Sequence, residues 1–198
     1  MEIGTLVLLG LIIVAVVWVV SIYNKLVSLK NRYVNAFAQI EVQLKRRYDL
    51  IPNLVETAKG YLTHERSTLE EVVNARNRAS AGLASAARDP SNAKAMEELG
   101  SAEGALTGAL GRMNVVMEAY PDLKASQNMM QLSEELTSTE NRVSFARQSY
   151  NDQVMAYNTY KQTFPPVVFA NMFGHAADAP LLEFADHAAI QEAPKVQF

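Results

Sequence analysis

The chain has 198 residues, 49% hydrophobic and 20% charged, with a formal net charge of −3. That length admits one membrane segment and one domain of ordinary size, and the acidic balance, without a basic stripe carrying interleaved aromatics, argues against a dedicated nucleic-acid binder. There is no cysteine, which excludes disulfides, thiol catalysis and lipid attachment at cysteine but leaves the compartment open.

Residues 1–24 read as a transmembrane anchor. The run IGTLVLLGLIIVAVVWVVSIYN, from Ile3 to Asn24, has no charge, and about 20 apolar residues span a bilayer core as a helix. Trp18 and Tyr23 suit the membrane interface on the exit side. A cleaved signal peptide is the rival reading. It lacks support here, because no basic residue precedes the run and no A-x-A site or lipobox follows it. Lys25, Lys30 and Arg32 come after the span, so the positive-inside rule favours a cytosolic position for the rest of the chain.

The spacing predicts one amphipathic helix over 25–65. Leu26, Leu29, Tyr33, Ala36, Ile40 and Leu44 recur every three or four residues, with Phe37 and Ile51 on the same face. Pro52 has no N–H to give, so a kink or break is expected near Tyr48, with Asp49 able to cap a restarted helix. The stripe resumes at Leu54, Val55 and Ala58, which favours one bent rod over two helices. Lys45, Arg46 and Arg47 form the densest basic cluster. Their expected partners are Glu134, Glu135 or Glu140 on the fourth helix, ahead of anionic lipid.

This stretch also carries a resemblance. The segments YNKLVSL, AQIEVQLKRRYDLIPNLVETAKGY and THE, running from Tyr23 to Glu65, resemble the signature of the LemA family of bacterial membrane proteins. A weaker likeness extends through the later helices to the closing APKVQF. The resemblance implies an N-terminal membrane segment followed by an antiparallel helical bundle in the bacterial cytoplasmic membrane. It implies no enzyme activity, and it carries no site residues with it. Some LemA-like proteins resemble exported lipoproteins, which sets the resemblance against the charge bias on the question of membrane side.

Beyond the first helix, three more are predicted over 68–88, 93–119 and 125–164. The Asp89-Pro90-Ser91-Asn92 stop, Tyr120-Pro121 and Pro165-Pro166 separate them from each other and from the tail. The fold class is therefore all-α: a bundle over 25–164 in up-down order. Gly100, Gly104 and Gly108 lie four apart on the third helix, where each costs roughly 1 kcal/mol relative to alanine. A close backbone approach is the expected reason, either to the second helix or to a neighbouring chain, and local mobility is the alternative.

The first and last helices are the long ones, so they should project past the other two at the membrane end. Leu26, Leu29, Tyr33, Phe37, Tyr150, Val154, Tyr157 and Phe164 would then line a two-helix stalk that cannot bury its own apolar face. Such a patch marks an interface, and a homo-oligomer is expected unless the tail folds back over it. The tail, 165–198, holds too many apolar residues to be left in water. Phe169, Phe173, Phe184, Val196 and Phe198 are its candidate docking residues, onto headgroups, the bundle or a neighbouring copy.

No pattern of chemistry emerges. His64, His175 and His187 are not at metal-ligand spacing, Asp186-His187 stands alone, and there is no phosphate-cradling loop or nucleophile elbow. We expect no catalytic, cofactor or metal site and no small-molecule substrate. The expected partners are membrane lipid and further copies of the chain, with another membrane protein as a further candidate. The leading reading is a membrane-anchored scaffold. The alternative is an accessory subunit of a membrane protein such as a protease.

Overall fold

The computed structural model describes residues 3–62 and 64–184, and among them it is helical without strands. The apolar span and the amphipathic stripe are one helix, α1 (Ile3–Lys59). Its 57 residues make a rod of about 86 Å. The N-terminal part has a mean hydropathy of 3.0 over an 18-residue window with none of it buried. The rest buries its three-four stripe without a gap, from Ile22 and Leu26 through Tyr33, Ile40 and Leu44 to Leu54 and Ala58.

Pro52 lies inside α1 and does not interrupt it. The chain runs on as one helix, as the resumed stripe favours over two, and the carbonyl that Pro52 orphans has a partner: Arg76 Nε donates to Tyr48 O at 3.1 Å. The helix ends at Lys59 rather than near 65. There, Tyr61 and Leu62 both donate their N–H to Ala58 O at 3.0 and 2.8 Å, and buried Leu62 seals the turn.

The chain returns in α2 (Arg66–Arg88). Asp89 accepts from the Ser91 N–H, and the Asn92 side chain caps the Ala95 N–H at 3.1 Å to start α3 (Ala93–Met117). The Tyr120-Pro121 stop holds more structure than its sequence suggests. Pro121 sits in the first turn of a short helix, α4 (Pro121–Lys124), where a missing N–H costs nothing. The long α5 (Gln127–Gln162) follows, then α6 (Pro166–Ala170). Pro166 therefore begins a helical turn rather than a bare tail.

α1 packs along both α5 and α2, α2 packs along α3, and α6 folds back against α5 and α1. One apolar core runs from Ile22, at the end of the apolar span, to Leu62 at the far tip.

Candidate functional site

The α1–α5 seam carries an aromatic ladder. The Tyr33 ring meets Tyr157 at 5.3 Å and Tyr150 at 6.3 Å between centroids, and Phe37 meets Tyr150 at 5.7 Å. Burial, with the neighbouring Tyr157, pushes the Tyr33 phenol up to about 12. The whole predicted stalk face except Phe164 is enclosed within one chain: Leu26, Leu29, Tyr33, Phe37, Tyr150, Val154 and Tyr157 are all buried. Of the two expectations for this face, a neighbouring copy or a tail folded back over it, the single chain shows the second. The physical reason is the segment after α5, which turns back through α6 and lies over the seam as a strap at 171–184.

Side-chain amides hold the strap. Asn158 and Asn151 stand two turns apart on one face of α5, and each makes a paired bond to the strap backbone. Asn158 gives Nδ2–H to Ala179 O and accepts from Ala179 N, both at 2.9 Å. Asn151 does the same with Leu182, at 3.2 and 2.9 Å. The Tyr150 hydroxyl donates to Pro180 O at 2.8 Å. Ala179 and Leu182 are buried.

Charge fixes the near end of the strap. Lys161, buried, donates to Ala176 O and pairs with Asp178, whose carboxyl lies below its usual range chiefly through that hydrogen bond. The His175 Nδ1 and Tyr157 hydroxyl are 2.8 Å apart. Burial, with the Lys30 and Lys161 charges, pushes this imidazole down. At the far end the Arg147 guanidinium lies 4.4 Å over the Phe184 ring.

The strap also accounts for one of the three predicted glycines. A Cβ added at Gly100 would collide with the Glu183 carbonyl, so the close approach at Gly100 is to the strap and not to α2. The approach of α2 to α3 is made elsewhere, where a Cβ on Gly82 would sit 3.3 Å from Leu99 Cα. Gly104 and Gly108 line an open cleft between those helices. At Gly108 the nearest group is Arg112 Nη1, an ordinary 3.5 Å from an added Cβ.

The strap reaches the end of the apolar span. Phe173 meets Tyr23 edge-on at 5.3 Å and stacks with Phe169 at 6.1 Å. Both phenylalanines pack on the core, as does Phe184. Trp18, one turn before buried Ile22, remains exposed. Val196, Phe198 and the Asp186-His187 pair lie outside the described residues.

A second polar feature is buried higher in the domain. Arg47 Nη1 pairs with Glu103 Oε2 at 3.0 Å, and the Tyr48 hydroxyl donates to the other oxygen of that carboxylate. Burial raises the Glu103 carboxyl, while the Arg47 charge and both donors oppose the rise. Arg47 therefore faces α3, not the acidic residues expected on the fourth helix. It is buried where α1 meets α3, whereas Lys45 turns outward to Glu41 at 2.5 Å. Glu140 lines a cavity of about 200 Å3 beside Arg47, and its charge adds to the rise of the Glu103 carboxyl. Arg47 Nε and Gln43 Oε1 have no hydrogen-bond partner among the described residues.

Sequence pattern alone does not mark Glu103, Asn151, Asn158 or Arg76 for these roles. Among the described residues no three acidic or histidine side chains converge as a metal site.

Residues 36–198 match the LemA family. The chain belongs to the LemA family. The match begins inside α1, beyond the apolar span. Protein LemA of Metamycoplasma hominis is 29% identical over 141 residues, covering 71% of this chain and 60% of that protein. Magnetosome proteins MamQ 1 and MamQ 2 of Paramagnetospirillum magneticum are each 23% identical over 151 residues, covering 69% of this chain and 56% of the relative. This LemA-family chain thus spans less than two thirds of the length of these relatives. The LemA family is not known as a family of enzymes.

Proposed function

We propose that this LemA-family chain is a non-enzymatic, single-pass membrane protein whose α1, α2, α3 and α5 form an up-down four-helix bundle acting as a scaffold on the membrane surface. One observation carries the reading: α1 is both the candidate span and the central core helix, with no break between them. A rigid rod of that kind fixes the domain at one height and angle over the bilayer. The basic residues Lys25, Lys30 and Arg32 favour the cytosolic side of a bacterial cytoplasmic membrane.

The scaffold assembles with copies of itself, though not through the enclosed seam. Phe145 on α5 is 73% exposed and Val42 on α1 is 58% exposed. The antiparallel α1–α5 register, set by Phe37 against Tyr150, puts these two at the same level. Helical rotation turns them to opposite faces of the α1–α5 pair, and Phe145 is the proposed lateral contact.

A second reading, an accessory subunit docked on another membrane protein such as a protease, draws on the membrane-distal tip. There Val55, Leu62, Leu69 and Val73 line an open cleft of about 610 Å3 with Lys59 and Arg66 at its rim.

The test is the mass of the intact particle in mild detergent for the wild type and for Phe145→Glu. A uniform multimer that falls to a single chain in the variant supports lateral assembly. A wild-type monomer would remove the self-assembling scaffold and leave the accessory reading.

A further inference from the structure

The base of the domain carries large apolar side chains that the fold leaves uncovered. Phe164 is 80% exposed, Val168 61%, and Met172 73%, with Val167 beside them at 48%. Phe164, Val168 and Met172 recur every four residues across the α5–α6 turn. No Lys, Arg, Asp or Glu occurs between Lys161 and Asp178. Lys161 is itself buried and turned onto the strap, so this segment presents apolar side chains and no Lys, Arg, Asp or Glu of its own.

Its height along α1 is fixed. Phe173, next to Met172, packs its ring on Tyr23, and α6 packs on α1. Coverage of α1 by the domain begins at half-buried Val19 and buried Ile22, within the last turns of the apolar span. Any bilayer that holds residues 3–24 therefore brings its headgroup region to the level of α6.

We propose that Phe164, Val168 and Met172 form a collar that enters the headgroup and acyl boundary of the same membrane that α1 crosses. The occupant of this surface is lipid, because the surface is continuous with the lipid-facing helix and carries no charge to select a protein. Uncharged aromatic, branched and thioether side chains suit that boundary, into which an apolar face sinks about 5–10 Å. The inference rests on the transmembrane reading of α1. It adds a second membrane contact, offset from the α1 axis, which sets the tilt and rotation of the domain.

The experiment uses the full chain in proteoliposomes of phosphatidylcholine and phosphatidylglycerol, with a single tryptophan. Wild-type Trp18 reports the span. Trp18→Phe combined with Phe164→Trp, and separately with Met172→Trp, reports the collar, and Trp18→Phe with Val115→Trp, 69% exposed near the end of α3, is the aqueous control. Each is read with lipids brominated near the headgroup and with aqueous acrylamide. The two collar reporters should lose emission to brominated lipid at least as strongly as Trp18 does, shift to shorter wavelength, and resist acrylamide, while the α3 control does the reverse. If Trp18 is quenched by lipid but neither collar reporter is, the collar is overturned and the span stands. If Trp18 also escapes, the transmembrane reading has failed first.

Discussion

Arg76 on α2 donates from Nε to the backbone carbonyl of Tyr48 on α1, 3.1 Å away. That carbonyl is the one Pro52 would have bonded had it an N–H. A proline in a helix interior costs about 3 kcal/mol, and the guanidinium offsets part of the cost by satisfying the orphaned acceptor from a neighbouring helix. Arg76→Met should lower stability by about 1–3 kcal/mol, since it leaves a part-buried acceptor unpaired. In a Pro52→Ala background, where the new N–H takes the carbonyl, the same substitution should cost much less. Thermal unfolding of the four proteins in detergent measures the coupling. Equal losses in both backgrounds would mean that Arg76 does not act on this carbonyl.

The Arg47–Glu103 pair joins α1 to α3 with both side chains almost wholly out of water. Breaking such a pair from one side costs about 3–5 kcal/mol, whereas replacing both members by apolar residues of similar volume is often neutral or stabilising. Glu103→Ala should therefore be severely destabilising and Arg47→Met combined with Glu103→Leu should not. Tyr48→Phe removes only a donor to the carboxylate and should cost about 1.5–3 kcal/mol. Denaturant midpoints of the three variants test the ranking. If the double variant is as unstable as Glu103→Ala, the pair is not the independent lock that its geometry describes.

The helices of this chain are legible because they are written in a single period. The stripe from Leu26 to Ala58 survives Pro52, and Asp89-Pro90 with Asn92 carries a stop and a cap in four residues. Which polar residues go inside is not written in that period. Arg47 belongs by composition to a surface cluster with Lys45 and Arg46, and only its pairing with Glu103 of α3 shows that it points inward. Arg76 interrupts the apolar stripe of α2 without disclosing that its target is a carbonyl exposed by a proline in another helix. Asn151 and Asn158 are neutral and short, so no hydrophobic or charge pattern marks them, yet they hold the strap. The end next to the apolar span is similar: unequal helix lengths point to an apolar seam there, but its closure depends on non-helical backbone that has no period to detect.

The glycines on α3 should respond in opposite ways. Gly100→Ala puts a methyl group against the Glu183 carbonyl, and backbone cannot yield as a flexible side chain can. Residues 176–184 should lift from α5 and become faster to exchange and easier to cleave, while the melting of the helices changes little. Gly108→Ala meets only ordinary contact and should stabilise the chain by about 0.5–1 kcal/mol through the helix preference alone. Limited proteolysis and thermal melts of the two variants decide this. A strap that stays protected in Gly100→Ala would show that Glu183 is not held where the geometry puts it.

Strap docking should weaken in mild acid. His175 sits between Tyr157 and Lys161 of α5, with Lys30 of α1 and Asp178 of its own segment acting on the same neighbourhood. Its pKa is lowered when docked, by burial first and then by the two lysine charges. Below about pH 6.5 the released imidazole takes up a proton that the docked one refuses. The released state then binds more protons, so docking is strongest above about pH 6.5 and is lost progressively as pH falls toward the docked-state pKa. Asp178, depressed by Lys161, acts with the same sign but only below about pH 4. The amides of Ala179 and Leu182, bonded to Asn158 and Asn151, are the reporters. Their exchange, corrected for intrinsic rate, should quicken between about pH 7 and pH 5 in the wild type and stay level in His175→Gln. A wild-type profile as flat as the variant's would remove His175 from the control of the strap.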